Sequence, residues 1–261
     1  TKTILGEKDN DKYPTLWCEG DAIAVINNGR LFKFVVDPED AGTTRGQFFL
    51  DEESLPAGCT VEDFNPQMAI QAFYPYDGVV FDSNNQKVSY TVPASQVYTD
   101  RSFGSGASPM SAYAENGEGV ISFENLFGAL KLQLKGSQKV KSIAIQGKNN
   151  EKLSGSATIV TYSDGTAPAI TMTSDENGAK SVILECSESG IQLSTSLATE
   201  FIIALPPVIF SNGFSVTITD VSSQTYNLTA KVSNTVVKSS VLTMSELTLI
   251  SSLTLSRESL T

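Results

Sequence analysis

The chain has 261 residues, with 18 Lys and Arg against 29 Asp and Glu, a formal net charge of −11 and no histidine. Its basic residues do not cluster, which excludes nucleic acid and an anionic membrane surface as main partners, and no apolar run reaches the roughly 18 to 20 residues that span a bilayer. Without histidine, Ser-His-Asp and Cys-His catalysis and His-based zinc sites are excluded as well.

The composition and residue pattern of the sequence are typical of an all-β protein. Charged residues are sparse, Ser, Thr, Asn and Gly are frequent, and apolar residues alternate in short runs between turn residues. A chain of this length forms one large domain or two of ordinary size, and we favour two.

The first predicted element is a hairpin. A short strand at Gly20–Ile26 is followed by Asn27–Gly29, whose residue types adopt the left-handed conformations of a tight turn. The return strand then places Phe32, Phe34 and Val36 on one face.

Further strands in the first half are predicted at Thr43–Leu50, Gln67–Pro75 and Lys87–Val92. The segment Tyr98–Gly119 is rich in Gly, Ser, Ala and Asn and has no strand pattern. We therefore predict a link between two domains there, with room for one helical turn around Ser108–Ala114. The domain boundary is placed at residue 118.

The clearest strand pattern in the chain follows this link, within Val120–Gly136. Leu130, Leu132 and Leu134 share one side with Gly128, and the residues between them, Ala129, Lys131, Gln133 and Lys135, share the other. A period of two predicts a strand with one face buried. We expect it to be the first long strand of the second domain.

Seven more strands are predicted after it, with Asn-, Asp- or Gly-containing turn signals between them. They are Lys139–Gln146, Ser154–Tyr162, Ala169–Thr173, Ser181–Cys186, Glu200–Leu205, Phe214–Asp220 and Thr225–Ala230. Their regular spacing predicts a sandwich with antiparallel pairing.

In the tail, apolar and polar residues continue to alternate beyond the last predicted strand of the second domain. One interpretation of residues 244–261 is a final edge strand of their own domain, and the other is a strand offered to another molecule. We predict Met244–Leu255 as the donor. Its alternating apolar side chains are Leu247, Leu249, Leu253 and Leu255.

The three cysteines, Cys18, Cys59 and Cys186, are too far apart in sequence for a CxxC metal or redox motif, and an odd number cannot pair completely. One disulfide would pair two of the cysteines and leave the third unpaired. We expect three buried, unpaired thiols instead. No metal or cofactor site is predicted. No Ser-x-x-Lys or Gly-x-Ser-x-Gly motif occurs, so we expect no enzyme.

Several short motifs occur in a fixed order along both halves of the chain. They are Thr1-Lys2-Thr3-x-Leu5, Trp17-x-x-Gly20-Asp21, Phe73-Tyr74-Pro75, Tyr90-x-x-Pro93-x-x-Gln96, Phe123-x-Asn125-x-Phe127-Gly128, Leu153-Ser154-Gly155, Pro206-Pro207, Gly213-Phe214 and Lys238–Leu242. In this order and spacing the chain resembles the fimbrillin family, the pilus subunits and pilus-associated lipoproteins of Bacteroidetes outer membranes.

The resemblance implies two tandem transthyretin-like antiparallel β-sandwich domains, which we place at 1–117 and 118–261. It also implies export as a lipoprotein to the outer membrane and polymerisation by donor-strand exchange with other pilin subunits. In the family, a protease removes an N-terminal strand and a neighbour's C-terminal strand fills the vacated groove. Relatives carry a strand ahead of the segment similar to Thr1–Thr3, so we expect that strand to have been removed by processing or trimmed.

We therefore expect a non-enzymatic structural subunit of a cell-surface pilus that contributes to adhesion. One alternative is a pilus anchor or tip adhesin, whose tail would stay packed on its own domain. Another is a surface lipoprotein that binds a glycan through an exposed aromatic ring, for which Tyr76 is the predicted residue because Asp77 and Gly78 follow it.

Overall fold

The computed structural model describes residues 3–7, 13–117, 119–173 and 180–250. Within these ranges the chain forms 24 strands and three short 3-10 helices, and it forms no α-helix. No helix in this part of the chain is long and apolar enough to cross a membrane. The predicted all-β fold is confirmed.

The strands up to residue 125 are β1 (Ile4–Leu5), β2 (Thr15–Leu16), β3 (Ala22–Asn27), β4 (Arg30–Val36), β5 (Phe48–Leu50), β6 (Ile70–Tyr74), β7 (Val79–Asp82), β8 (Lys87–Val92), β9 (Ser95–Val97), β10 (Met110–Ala114) and β11 (Glu124–Asn125). The 3-10 helices are Pro38–Asp40, Glu52–Ser54 and Val61–Asp63.

The later strands are β12 (Gly128–Lys135), β13 (Lys139–Gly147), β14 (Gly155–Val160), β15 (Ala169–Met172), β16 (Ser181–Glu185), β17 (Ile191–Gln192), β18 (Thr199–Leu205), β19 (Val208–Phe210), β20 (Phe214–Asp220), β21 (Thr225–Ala230), β22 (Asn234–Val236), β23 (Val241–Thr243) and β24 (Leu247–Thr248).

The predicted hairpin near the start of the chain is confirmed. β3 and β4 are antiparallel up to the pair Asn27 and Arg30, and Asn28 and Gly29 form the turn with φ angles of 49° and 71°. Positive φ at both central positions lets the turn match the right-handed twist of the two strands, which is why Asn-Gly favours this connection.

The hairpin belongs to a six-stranded sheet with the order β11-β10-β6-β3-β4-β5, here called the N-terminal sheet. The helical turn predicted around Ser108–Ala114 is wrong, because Met110–Ala114 is a strand that pairs with β6 on one side and β11 on the other. Its small residues have weak β propensity. Ladder pairing and the burial of Met110 and Ala112 decide its structure instead.

The strand predicted at Thr43–Leu50 is shorter than expected, because β5 comprises only its last three residues. The preceding residues form a turn closed by Asp40. The Thr43 hydroxyl donates to the Asp40 carbonyl at 2.8 Å, and the Gln47 N–H donates to the Asp40 carboxylate at 2.7 Å. These local bonds replace strand pairing in the first part of the segment.

β12 is the middle strand of a second sheet, here called the central sheet, in which β18 lies on one side of it and β23 and β24 lie on the other. Leu130, Leu132 and Leu134 point into a core shared with a third sheet, β21-β20-β13-β16-β9, here called the C-terminal sheet. The predicted alternation is confirmed. The expectation of one exposed face is wrong, because Ala129 and Lys131 on the other side are only 4% and 8% exposed.

A second core covers that other face of β12. It joins Ala129 of β12 and Ile202 and Ala204 of β18 to Phe73 of the N-terminal sheet. Tyr90 contributes from a fourth sheet with the order β15-β14-β8-β7. The central sheet is therefore sandwiched between two apolar layers, which sequence periodicity within β12 does not reveal.

Hydrogen-bonded ladders connect the two sides of the predicted boundary at residue 118. β8 pairs with β14, and β9 pairs in parallel with β16. Pairing elsewhere is antiparallel except along β12, where β23 and β24 are also parallel to it. The division into domains 1–117 and 118–261 stays a prediction, and cutting the chain there would break strand pairing.

Leu132→Ala should lower the free energy of unfolding by about 2–5 kcal/mol, because the removed atoms leave a cavity between the central and C-terminal sheets. The matched control is Gln133→Ala, the next residue of the same strand, whose side chain points to the other face and is half-buried. The free energy of unfolding of this control variant should fall by no more than about 1 kcal/mol. Urea denaturation measures both, and similar losses for the two variants would contradict this account of β12.

Candidate functional site

The end of the described chain lies along β12 as two short parallel strands. Backbone bonds extend the contact beyond both of them. Ser239 N–H donates to the Phe127 carbonyl at 2.9 Å, and Leu249 N–H donates to the Lys135 carbonyl at 2.8 Å. Residues 239–250, here called the C-terminal tail, thus cover one edge of β12 over its whole length.

The four leucines of the predicted donor strand have different positions. Leu249 is only 5% exposed and lies in the core between the central and C-terminal sheets, whereas Leu247 is 37% exposed. Leu253 and Leu255 lie outside the described residues. The structure therefore brings Leu249 into the core of its own chain, and the donor role of the segment stays a prediction.

The second half of the tail is held by few interactions. Between β23 and β24, Met244 N–H donates to the Lys131 carbonyl, and the Lys135 ammonium lies 2.8 Å from the Glu246 carboxylate. That ion pair is half-exposed and contributes little to stability. The buried side chain of Leu249 is the main apolar anchor of this part.

One side chain bonds to the backbone at the opposite edge of the central sheet. Gln96 donates from its amide nitrogen to the Ala204 carbonyl at 2.7 Å and accepts the Ala204 N–H at 3.0 Å. Its amide thereby replaces the peptide group of a neighbouring strand. Ala204 and Ile202 of β18 are each only 1% exposed, so this edge is also covered.

The edge of β12 under the C-terminal tail is therefore the place where the central sheet can exchange a strand. Removing the tail would expose a row of unpaired backbone N–H and C=O groups, which is a template for pairing with another chain. It would also open the site in the core that Leu249 fills.

A buried carboxylate ties the N-terminal segment to the body of the protein. Asp21 accepts hydrogen bonds from Thr3 N–H at 3.0 Å, from Cys18 N–H at 2.7 Å and from the Tyr74 hydroxyl at 2.9 Å. Burial raises the pKa of Asp21 to about 6, although these hydrogen bonds oppose the rise. Through Thr3, which precedes β1, Asp21 therefore holds the first described segment against the N-terminal sheet.

Tyr76, predicted to be an exposed aromatic ring, is half-buried beside the second core. The Lys33 ammonium lies 5.6 Å from the centre of its ring and also pairs with Asp51 at 2.8 Å. A cation over one ring face takes the place that a stacked sugar would need there. The structure does not favour Tyr76 as a stacking platform.

The three cysteines form no disulfide with one another. Cys18, Cys59 and Cys186 are free and half-buried rather than fully buried. Burial, with a smaller contribution from the neighbouring Glu185, raises the pKa of Cys186 to about 12, which keeps it protonated at neutral pH. In the described part of the chain, no group of three or more Cys, Asp and Glu side chains is arranged to hold a metal ion.

No known family model and no curated protein matches the sequence. Several solved structures match the fold. A “putative cell adhesion protein” from Bacteroides uniformis is 16% identical with a TM-score of 0.51, covering 88% of each chain. Another from Bacteroides ovatus is 12% identical with a TM-score of 0.51, covering 86% of this chain and 83% of that one. The tip fimbrial protein Mfa3 of Porphyromonas gingivalis matches at a TM-score of 0.29 and 11% identity, covering 80% and 74%.

The chain has a fimbrillin-like fold. The resemblance seen in the sequence motifs is thus confirmed at the level of the fold. Several of those motifs have structural roles in this fimbrillin-like fold: Trp17 and Tyr74 lie in the core of the N-terminal sheet, and Gln96 closes the edge of β18.

Sequence reasoning missed two features of the site. Gln96 was part of a quoted motif, but no local pattern shows that its amide binds a residue 108 positions away. The partners of Asp21 are equally remote, since Tyr74 is 53 positions further along. A polar residue amid strand residues was the only available signal in both cases.

Asp21→Asn should remove a pH dependence of stability between about pH 4 and 6. The pKa of Asp21 is raised in the folded protein, so the folded state binds a proton that the unfolded chain has lost, and stability falls as the pH rises through this window. We expect a fall on the order of 2 kcal/mol in the unmodified protein, measured by urea denaturation at several pH values.

The matched control is Asp220→Asn. Asp220 is also buried, but hydrogen bonds, chiefly from Ser222 and Gln224, outweigh the effect of burial and lower its pKa. Its contribution is present above about pH 4 and is lost at lower pH. The slope between pH 4 and 6 should persist in this control, and its persistence in Asp21→Asn would contradict the assignment to Asp21.

Proposed function

We propose that the chain is a non-enzymatic cell-surface adhesion protein, a fimbrial subunit that assembles by exchanging its C-terminal strand with other subunits. Support comes from the fimbrillin-like fold and from the description of two structures that share it as cell adhesion proteins. Export as a lipoprotein of the outer membrane belongs to the same proposal and rests on the fimbrillin resemblance.

One observation carries the strand exchange: the strand on the outer edge of β12 is the chain's own C-terminal tail. The other edge of the central sheet is capped by Gln96. The low exposure of β18 favours entry of a strand from another subunit where the tail now lies. The tail that leaves can in turn occupy the equivalent edge of the next subunit, as in domain swapping.

The free energies are compatible with such an exchange. Burial of Leu249 contributes about 1.5–3 kcal/mol, and each backbone hydrogen bond of the tail contributes about 0.5–1.5 kcal/mol. Releasing residues 245–250 while β23 stays in place thus costs several kcal/mol. The same contacts form again in the neighbouring subunit, so the net free energy of exchange is set mainly by the entropy cost of association. Confinement of the subunits to a surface reduces that cost.

A pilus anchor or tip adhesin is the second candidate function. Leu249 lies in its own core, as expected for a subunit that keeps its tail and donates no strand. Such a subunit would use its tail only for stability. A covalent lock on the tail distinguishes the two candidate functions, because only the strand-exchanging subunit requires its tail to leave.

A disulfide between β12 and β24 should block assembly. Lys135 and Thr248 lie opposite each other in the ladder, so we propose Lys135→Cys with Thr248→Cys, after changing Cys18, Cys59 and Cys186 to Ser. The oxidised protein should keep its fold but form no filaments or linear oligomers, because the tail cannot leave. Reduction should restore assembly, measured by light scattering and negative-stain microscopy.

The control is Lys135→Ser with Thr248→Ser in the same background, which removes the ion pair to Glu246 without forming a cross-link. It should assemble under both conditions. Filaments formed by the fully cross-linked protein would contradict strand exchange.

Deleting Ser245–Thr261 should leave a folded protein that does not assemble. β23 remains in this variant, but loss of β24 and of the Leu249 side chain should lower the free energy of unfolding by about 2–4 kcal/mol. A synthetic peptide of residues 245–261 should bind the truncated protein and restore stability in trans, because the vacated edge is an acceptor. Calorimetry measures the binding.

A peptide of the same length with Leu247 and Leu249 replaced by Ser is the control, and it should bind at least tenfold more weakly. Assembly of the truncated protein into fibres, or equal binding of the two peptides, would contradict a donor role for the tail.

A further inference from the structure

The C-terminal sheet ends in a long edge strand, β21. It pairs with β20 on one side, and no described strand pairs with its other side. β21 has six residues, whereas β5, β7, β9, β11 and β15, which also end sheets, have two to four. It contains no charged residue and no proline, and its ladder with β20 has no bulge. The features that usually protect an exposed edge are therefore missing from β21.

The turn between β20 and β21 shows which backbone groups point out from this edge. Asp220 N–H donates to the Gln224 carbonyl at 3.0 Å, next to the first pair of the ladder. Hydrogen-bonded and non-hydrogen-bonded pairs alternate in an antiparallel ladder, so Tyr226 and every second residue after it bond to β20. The residues whose N–H and C=O groups face the open edge are Thr225, Asn227 and Thr229.

The two faces of β21 differ in burial. Tyr226, Leu228 and Ala230 are half-buried and pack against the core between the central and C-terminal sheets. The three residues that alternate with them are exposed on the other face. A strand added at the open edge would complete the burial of Tyr226 and Leu228 if its own apolar side chains lay on the same face.

From this geometry we propose that β21 pairs with β21 of a second copy of the chain, antiparallel and about a two-fold axis at Asn227. Asn227 then lies opposite Asn227 of the other copy, and Thr225 lies opposite Thr229. All outward-facing residues fall in hydrogen-bonded pairs, which gives about six backbone hydrogen bonds. The two C-terminal sheets become one continuous sheet.

The side chains of β21 are complementary to themselves in this register. Tyr226 lies opposite Leu228 of the other copy in a non-hydrogen-bonded pair, where cross-strand side chains are closest. An axis between two residues would instead place the apolar face of one strand beside the polar face of the other. No like charges meet, because Lys231, the first charged residue after β21, lies opposite Ser223.

The symmetry of this contact separates it from strand exchange. A two-fold contact is closed and joins two copies through the same surface, whereas exchange of the C-terminal tail continues from one subunit to the next. The edge of β21 and the edge of β12 belong to different sheets. Pairing at β21 therefore joins subunits side by side, whether or not they exchange tails.

Single cysteines test the register, because residue 227 lies opposite itself in it. In a background with Cys18, Cys59 and Cys186 changed to Ser, Asn227→Cys should form a disulfide-linked dimer under mild oxidation. The paired Cα atoms are about 5.5 Å apart in such a ladder, which is within the range for a disulfide. Denaturing gel electrophoresis without reductant measures the rate.

Thr225→Cys and Thr229→Cys in the same background are the matched controls, since both residues are exposed on the same face of the same strand. Each variant alone should cross-link at least about tenfold more slowly than Asn227→Cys, because its thiol has no equivalent opposite it. A mixture of the two should form mixed dimers at a rate close to that of Asn227→Cys. A small tag on one variant identifies them.

Asn227→Pro should weaken the dimer and leave β21 in its own sheet, because the lost N–H points to the open edge, where proline is tolerated. Asn227→Ala is the control, since it also loses the hydrogen bond from the Thr217 hydroxyl but keeps its N–H. The association constant should fall at least about tenfold in the first variant and less than about twofold in the second. Sedimentation equilibrium measures it, and circular dichroism verifies folding.

Sedimentation is measured in the oxidised Lys135→Cys and Thr248→Cys protein, whose tail cannot leave, so its outcome does not depend on strand exchange. Equal cross-linking by the three single-cysteine variants, or equal association of Asn227→Pro and Asn227→Ala, would overturn the proposal. Suppression of the Asn227→Cys cross-link by an equimolar peptide of residues 245–261 would also overturn it, because the edge would then accept a tail.

Discussion

β12 requires partners on both faces and along both edges, and the rest of the fold depends on meeting that requirement. Leu130, Leu132 and Leu134 need one apolar layer, and Ala129 on the reverse side needs another. A backbone buried in this way must also pair its N–H and C=O groups. β18 covers one edge of the strand, and the C-terminal tail covers the other.

Side chains complete the pairing where strands do not. Gln96 supplies the peptide-like partner that β18 lacks, and Asp21 accepts backbone N–H groups of Thr3 and Cys18. The Gln96 amide and the Asp21 carboxylate differ in how they respond to pH. A neutral amide does not titrate, whereas the contribution of a buried carboxylate with a raised pKa to stability depends on pH.

The proposed site of strand exchange follows from the chemistry of a sheet edge. The edge of β12 offers unpaired backbone groups once the tail leaves, and this suits another strand.

Local pattern determined the all-β class, the Asn28-Gly29 hairpin and the alternation within β12, because turn geometry and side-chain periodicity depend on neighbouring residues alone. Only the tertiary structure decided that Met110–Ala114 is a strand, that both faces of β12 are buried and that Leu249 lies in its own core. Each of these depends on residues remote in sequence. The sequence of a single strand does not determine which sheet covers it or which edge it joins. Ladder pairing and burial arise between segments that meet only in the folded chain.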